Sequence, residues 1–237
     1  MVTEPRLLMI VPTRGRPGNA AELIEAWRNT TGPEATLLLA VDDDDPQRSA
    51  YRAVSRTYEQ PIRYGERLRL GGTLNEVACV NAPLYTAVGF MGDDHRPRTS
   101  GWAVRFLEEL GRLGTGVVYG NDLIQGPNLP TAVAMTSDII GALGYMVPGG
   151  LVHLEIDTAW KLLGQAINRI TYLPDVIIEH CHPIAQKAEW DAGYRENNDP
   201  AQYEADGHRL ADWKQFQMGA DIELLNQMIR TKESARG

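Results

Sequence analysis

The run Leu7-Leu-Met-Ile-Val11 leads directly into Pro12-Thr13-Arg14-Gly15-Arg16-Pro17, an unbroken apolar stretch and then a stiff, charged turn. A strand with one wet face alternates apolar and polar residues, because successive side chains point to opposite sides. A run with no alternation fits a strand covered on both faces, as in a parallel sheet. The pattern recurs at 37–41, 88–91, 117–119 and 176–178. Helical segments lie between these runs. Asn19-Ala-Ala-Glu22 reads as a capping box opening a helix with Leu23, Ile24 and Trp27 on one face. Trp102, Phe106 and Leu110 share a face of a second helix, and Ile139, Ile140 and Leu143 mark a third. Strand and helix in alternation predict an α/β fold.

Composition bounds the rest. The chain has 237 residues, 43% hydrophobic and 23% charged, with 23 Gly and 14 Pro, which excludes disordered, collagen-like and coiled-coil classes. A net charge of −8 argues against broad attraction to nucleic acid or anionic membrane. Two cysteines, Cys79 and Cys181, make neither a disulfide framework nor a structural zinc site, and no apolar run approaches a signal or membrane span. A soluble, cytoplasmic protein is expected. One domain over 1–237 is expected, with a regular half to about 120, a less regular half richer in Gly and Pro turns over about 121–182, and a helical tail over about 183–237.

In open parallel sheets, ligands bind beyond the carboxyl ends of the strands, so the residues just past each apolar run matter most. The first turn lacks G-x-G-x-x-G spacing, which disfavours a dinucleotide oxidoreductase. After 37–41 comes Asp42-Asp43-Asp44-Asp45-Pro46. Adjacent carboxylates ordinarily make a solvated turn or helix start. Asp42 stands apart because it sits where the chain leaves the core, and it is expected to bond a ribose or base; Asp43 is counted with it.

After 88–91 comes Gly92-Asp93-Asp94-His95, two carboxylates at a strand end, suited to Mg²⁺ or Mn²⁺ bridging a diphosphate. His180-Cys181-His182 ends another apolar run, and an imidazole there would complete such a shell. Downstream of Pro148-Gly149-Gly150, Glu155-Ile156-Asp157 precedes Trp160 and Leu163. Asp157 at a helix N-terminus is either a dipole-stabilising acid or a general base, and the dipole is expected to keep it ionised. Arg48, Arg52 and Arg56 have the spacing of a solvated helix face. Arg67 and Arg69 are better placed to reach an anionic donor or acceptor. Gly71-Gly72-Thr73-Leu74-Asn75 begins a helix and is either a plain strand-to-helix turn or a place where backbone N–H groups meet a nucleotide, with Asn75 expected among its contacts.

Together these features resemble the nucleotide-diphospho-sugar glycosyltransferases of the GT-A fold, in particular the large inverting family. The resemblance runs from about residue 7 to 182 and rests on Val11-Pro12-Thr13-Arg14, Val41-Asp42-Asp43, Asp93-Asp94-His95 and Glu155-Ile156-Asp157, in that order. The stretch His180-Cys-His-Pro183, with Lys187, Trp190, Asp191 and Tyr194 beyond it, is also similar to small glycosyltransferases of tailed actinobacterial phages, which would place the protein in a host cytoplasm. The resemblance implies a Rossmann-like, mostly parallel sheet flanked by helices and ending in a helical tail. It implies Pro12, Thr13, Arg14 and Asp42 at the nucleoside, Asp93 and Asp94 at metal and diphosphate, His182 rather than His180 in the metal shell, and Asp157 as base. The implied reaction moves a sugar, with inversion, from a nucleotide-diphospho-sugar such as a UDP-sugar to an acceptor hydroxyl, with Mn²⁺ or Mg²⁺. Here Asp-Asp-His replaces Asp-x-Asp, leaving open which aspartate touches the metal, and Glu155-Ile-Asp157 replaces an adjacent pair, leaving Glu155 as a substitute base.

Three other readings compete. Asp42-x-Asp44 mimics the aspartyl nucleophile of a haloacid-dehalogenase-type phosphatase, but Pro46 stands where that motif wants Thr or Val. A sugar-phosphate nucleotidylyltransferase would want a Gly-rich opening loop. A nucleotide-sugar-binding module without turnover is the non-enzymatic alternative.

Overall fold

The computed structural model of the chain describes residues 5–187, 189–197 and 199–235. The described residues form an α/β fold around an eight-stranded mixed sheet in the order β3-β2-β1-β4-β7-β6-β8-β5. Its strands are β1 (Leu7–Thr13), β2 (Ala35–Asp42), β3 (Ile62–Gly65), β4 (Ala87–Phe90), β5 (His95–Pro97), β6 (Val117–Asn121), β7 (Val133–Thr136) and β8 (Ile170–His180). The helices are α1 (Pro17–Thr30), α2 (Arg48–Thr57), α3 (Arg69–Asn81), α4 (Trp102–Leu113), α5 (Ser137–Leu143), α6 (Ile156–Ala166), α7 (Ala192–Asn197), α8 (Pro200–Phe216) and α9 (Met218–Ser234). Strands β3, β2, β1 and β4 are mutually parallel, as are β6 and β8, while β7 and β5 run antiparallel to their neighbours.

The unbroken apolar runs reflect two cores, one on each face. Leu8 and Ile10 of β1 join a cluster with α3, α5, α6, α8 and α9, whereas Leu7, Met9 and Val11 join one with α1, α2 and α4. Strands β6 and β7 divide the same way, Val117 and Val133 to the first, Val118 and Ala134 to the second. At roughly 1.5–3 kcal/mol per fully buried large apolar side chain, these layers dominate the stability of the fold. The C-terminal helices contribute to it: Trp213, Leu225 and Ile229 are buried in the first cluster, and the Trp213 indole N–H bonds Asp221 at 2.8 Å. No helix of the described residues is long and apolar enough to cross a membrane.

All five apolar runs are strands, and the three helices read from spacing are present. Three strands escape sequence reading. Strands β3, β5 and β7 have three or four residues, too few to show a period, and β5 exists only because it pairs with β8. The capping box is corrected. Helix α1 starts at Pro17, whose fixed φ suits a first turn, so Asn19 lies inside the helix and Arg16 is the cap.

Candidate active site

The chain runs outward from β1 through β2 to β3, then crosses back to β4 on the other side of β1. That reversal splays the connections apart beyond the ends of β1 and β4 and opens a crevice there. A cleft of about 810 Å³ occupies it. At its floor, Thr13 at the end of β1 donates to Asp93 Oδ2 at 2.6 Å, tying the two loops together. Tyr51 from α2 supports the join through 2.7 Å to Thr13 Oγ1 and accepts from the Arg16 backbone N–H at 2.9 Å. Pro12, Arg14 and Asp42 also line the cleft. Arg14 donates to Asp42 at 2.9 Å and pairs with Asp44. Burial raises the Asp42 carboxyl despite that partner.

The acidic motif and the downstream histidines meet through sheet register. His95 of β5 is paired directly with His180 of β8, and their rings stack with centroids 4.2 Å apart. Asp94 lies between them, Oδ1 at 3.2 Å from His95 Nδ1 and Oδ2 at 3.3 Å from His180 Nε2. One ligand atom from each of Asp94, His95 and His180 falls within 4.8 Å of the others. One carboxylate and two imidazoles form a donor set that fits a first-row divalent cation, with the imidazoles favouring a transition metal over Mg²⁺. His95 Nε2 is buried with no hydrogen-bond partner among the described residues, which adds to the fit. Burial tends to raise the Asp94 carboxyl, but hydrogen bonds from His180 and His95 prevail and hold it well below the usual range. Burial and the Asp94 charge push Asp93 the other way. Asp93 is turned to Thr13 and Arg16, the latter at 3.4 Å. His182, the histidine expected in the shell, lies outside the group: its Nδ1 accepts from Ile184 N at 3.2 Å and its ring stands edge-on to His180.

The third part of the cleft is the segment leading into α6. Glu155 caps the helix in a left-handed conformation, φ 63°, and Asp157 lies in the first turn, accepting from Thr158 N at 2.8 Å. The expected effect of the dipole is outweighed: burial pushes the Asp157 carboxyl up to about 6. It is still largely ionised at neutral pH and is a stronger base than an ordinary carboxylate. Sequence reading missed what holds this segment. Asp206 of α8, 0% exposed, accepts three successive backbone N–H groups, from Val152 at 3.0 Å, His153 at 3.0 Å and Leu154 at 2.8 Å. His153 lines the cleft too, and burial lowers its imidazole to about 4.

Two expected nucleotide contacts sit elsewhere. Asp43 is exposed and pairs with Arg48 at 3.3 Å. Asn75 clamps the loop before α6, donating to Val147 O at 2.9 Å and accepting from Met146 N and Val147 N at 2.9 and 2.8 Å. The Gly71 N–H is likewise spent on Val152 O at 3.0 Å, and a Cβ on Gly71 would collide with the Leu151 carbonyl. Arg67 and Arg69 do reach the cleft. Asp44, the partner a phosphatase dyad would need, has a side chain 60% exposed and held by Arg14.

No protein-family model matches the sequence, and no curated protein matches it at a significant level. Solved structures do match the fold. The mannosyltransferase PcManGT from Pyrobaculum calidifontis, in complex with GDP-Man and Mn²⁺, aligns at TM-score 0.59 and 13% identity over 100% of this chain and 77% of its own. The chain has a GT-A-type glycosyltransferase fold. S. aureus TarS 1–349 in complex with UDP-GlcNAc aligns at 0.54 and 12% identity, over 89% of this chain and 73% of that one. A putative nucleotide-diphospho-sugar transferase from Desulfovibrio desulfuricans G20 aligns at 0.52 and 11% identity, over 92% and 97%. In the longer TarS structure, aligned at 0.55 and 14% identity over 73% of this chain, the match spans 36% of the TarS chain. In this GT-A-type sheet, the strand-end cleft is where sequence reading places the donor.

Proposed function

We infer that the protein is a metal-dependent glycosyltransferase that moves a sugar from a nucleotide-diphospho-sugar to an acceptor hydroxyl with inversion. The observation that carries this is the Asp94, His95 and His180 group, with Asp94 and His95 buried and His180 half-buried, sharing one cleft with the half-buried Asp157, whose carboxyl is raised by desolvation. Asp94, His95 and His180 would hold the cation, Mn²⁺ in preference to Mg²⁺. When bound, the cation supplies charge stabilisation for the departing diphosphate, so no protonated acid is required on that side. Pro12, Thr13, Arg14 and Asp42 surround the nucleoside. Asp157 takes the acceptor proton as the hydroxyl attacks the anomeric carbon from the face opposite the leaving group. Glu155, strained at the helix cap, orients the segment and is the substitute base. The similarity to structures that hold GDP-Man or UDP-GlcNAc supports a nucleotide-sugar donor, and a UDP-sugar is the form to test first.

Calorimetric titration of UDP with and without Mn²⁺ checks the donor half of this reading. Wild-type affinity should depend on Mn²⁺, and Asp94→Asn and His180→Ala should each remove that dependence while His182→Ala keeps most of it. Full Mn²⁺ dependence in folded Asp94→Asn would move the metal elsewhere.

A further inference from the structure

The cleft holds three arginines outside the nucleoside and metal assignments, and all three pair with carboxylates of one short segment, although Arg16 also lies 3.4 Å from Asp93 and Arg67 3.8 Å from Asp42. Arg16 makes a two-pronged contact with Asp191, Nε and NH2 each at 2.7 Å from a carboxylate oxygen. Arg67 reaches Glu196 at 3.0 Å, and Arg69 pairs with the same carboxylate. Between them, Tyr194 lies under the Arg16 guanidinium at 3.8 Å and donates its hydroxyl to Asp94 Oδ2 at 2.7 Å. Residues 191, 194 and 196 thus cap three cleft cations and the metal carboxylate together.

Arginine forks match carboxylates and phosphates with the same geometry, so a carboxylate docked on them marks an anion site. With the segment in place, seven carboxylates and four guanidinium groups line the cleft among the described residues, an unfavourable field for an incoming diphosphate. At Arg16 the two sides of the contact also differ in burial, whereas Arg67 and Arg69 lie nearer the mouth with side chains 30% and 45% exposed. The Arg16 side chain is 13% exposed, whereas Asp191 and Glu196 are 43% and 48% exposed. The arginine is built into the site, and the carboxylates sit at its mouth, where ion pairs are weak enough to exchange.

We propose that Arg16, Arg67 and Arg69 form an anion site for the diphosphate of the donor, and that Asp191 and Glu196 are its resident occupants, displaced when the donor enters with its cation. This rests on the nucleotide-diphosphate reading of the cleft and adds a competition to it. The apparent affinity for a diphosphate is then the intrinsic affinity reduced by the fraction of molecules whose segment has withdrawn. Tyr194 adds a competitor for the cation, because its hydroxyl takes one lone-pair direction of Asp94 Oδ2.

The test is calorimetry with inorganic pyrophosphate and, separately, UDP, each with Mn²⁺, on wild type and on Asp191→Asn combined with Glu196→Gln, with melting curves to confirm folding. The double variant should bind pyrophosphate about tenfold more tightly, the gain expected if about a tenth of wild-type molecules are open. Tyr194→Phe, which keeps the ring under Arg16, should bind Mn²⁺ alone more tightly. Pyrophosphate affinity unchanged or weakened in the folded double variant overturns the proposal, as does absence of pyrophosphate binding in both proteins. Tighter pyrophosphate binding with no UDP binding in either protein would support the anion site and instead remove the nucleotide reading.

Discussion

Asp157 stands where two effects oppose each other. The N-terminal dipole of α6 favours its charge, burial disfavours it, and burial wins, lifting the carboxyl from 3.8 to about 6. If Asp157 is the base, transfer should fall about tenfold per unit as pH drops below about 6. A rate profile under saturating Mn²⁺–donor measures this, and a flat profile to pH 5 would sink the assignment. Asp157→Asn should lose about 10²–10⁴-fold in turnover with Mn²⁺–UDP affinity retained, while Glu155→Gln keeps most activity. Stability carries the opposite sign. A carboxyl with a raised folded-state pKa binds its proton more tightly when folded, so it stabilises in acid and costs stability as pH rises through about 4 to 6. Asp157→Asn is therefore expected to raise stability by about 1–3 kcal/mol at pH 7, an advantage that vanishes below about pH 4. Thermal melts at the two pH values decide.

At the scale of elements, the segment leading to Asp157 is held from two sides. Asn75 and Gly71 of α3 fix residues 146–152, and Asp206 of α8 gathers the N–H groups of 152–154. Burial tends to raise the Asp206 carboxyl, but those backbone hydrogen bonds and Arg209 lower it below the ordinary 3.8. Its stabilising contribution is therefore present above that value and is lost as pH falls through the folded-state pKa. Asp206→Asn should cost about 1–3 kcal/mol for each N–H left unsatisfied, and should reduce turnover more than Mn²⁺–UDP affinity. Melting curves and paired kinetic and binding measurements check both halves. Equal losses of turnover and affinity would mean that α8 supports the whole cleft rather than this segment.

On the scale of the whole molecule, the C-terminal helices are part of the core that backs the site. Leu225 is 0% exposed and shares a cluster with Trp160 of α6, so α9 braces the helix that carries Asp157. Leu225→Ala should destabilise the fold by about 2–5 kcal/mol, the range for cavities in well-packed cores. Denaturant unfolding measures it; a cost below about 0.5 kcal/mol, typical of surface changes, would show that the tail is dispensable. Hydrogen exchange in α6 should speed up in the same variant, because the helix loses a packing partner.

Much of this architecture is legible in the order of residues. Unbroken apolar runs announce strands covered on both faces, and Thr13, Asp42 and Asp93-Asp94 at their ends lie in the cleft, because strand direction alone decides which end the next loop occupies. Those signals are local, carried by neighbours along the chain. The pairing of His95 with His180 comes from the register between β5 and β8, which brings His180 rather than the expected His182 beside Asp94 and His95. The inward turn of Asn75, the clamp at Asp206 and the contacts of Arg16 with Asp191 likewise join residues far apart in sequence. So does the direction of the Asp157 shift, because desolvation depends on what packs around a carboxyl and not on which residues precede it. Periodicity is a property of consecutive residues; register and burial are properties of the folded chain, and the chemistry of this site depends on the latter.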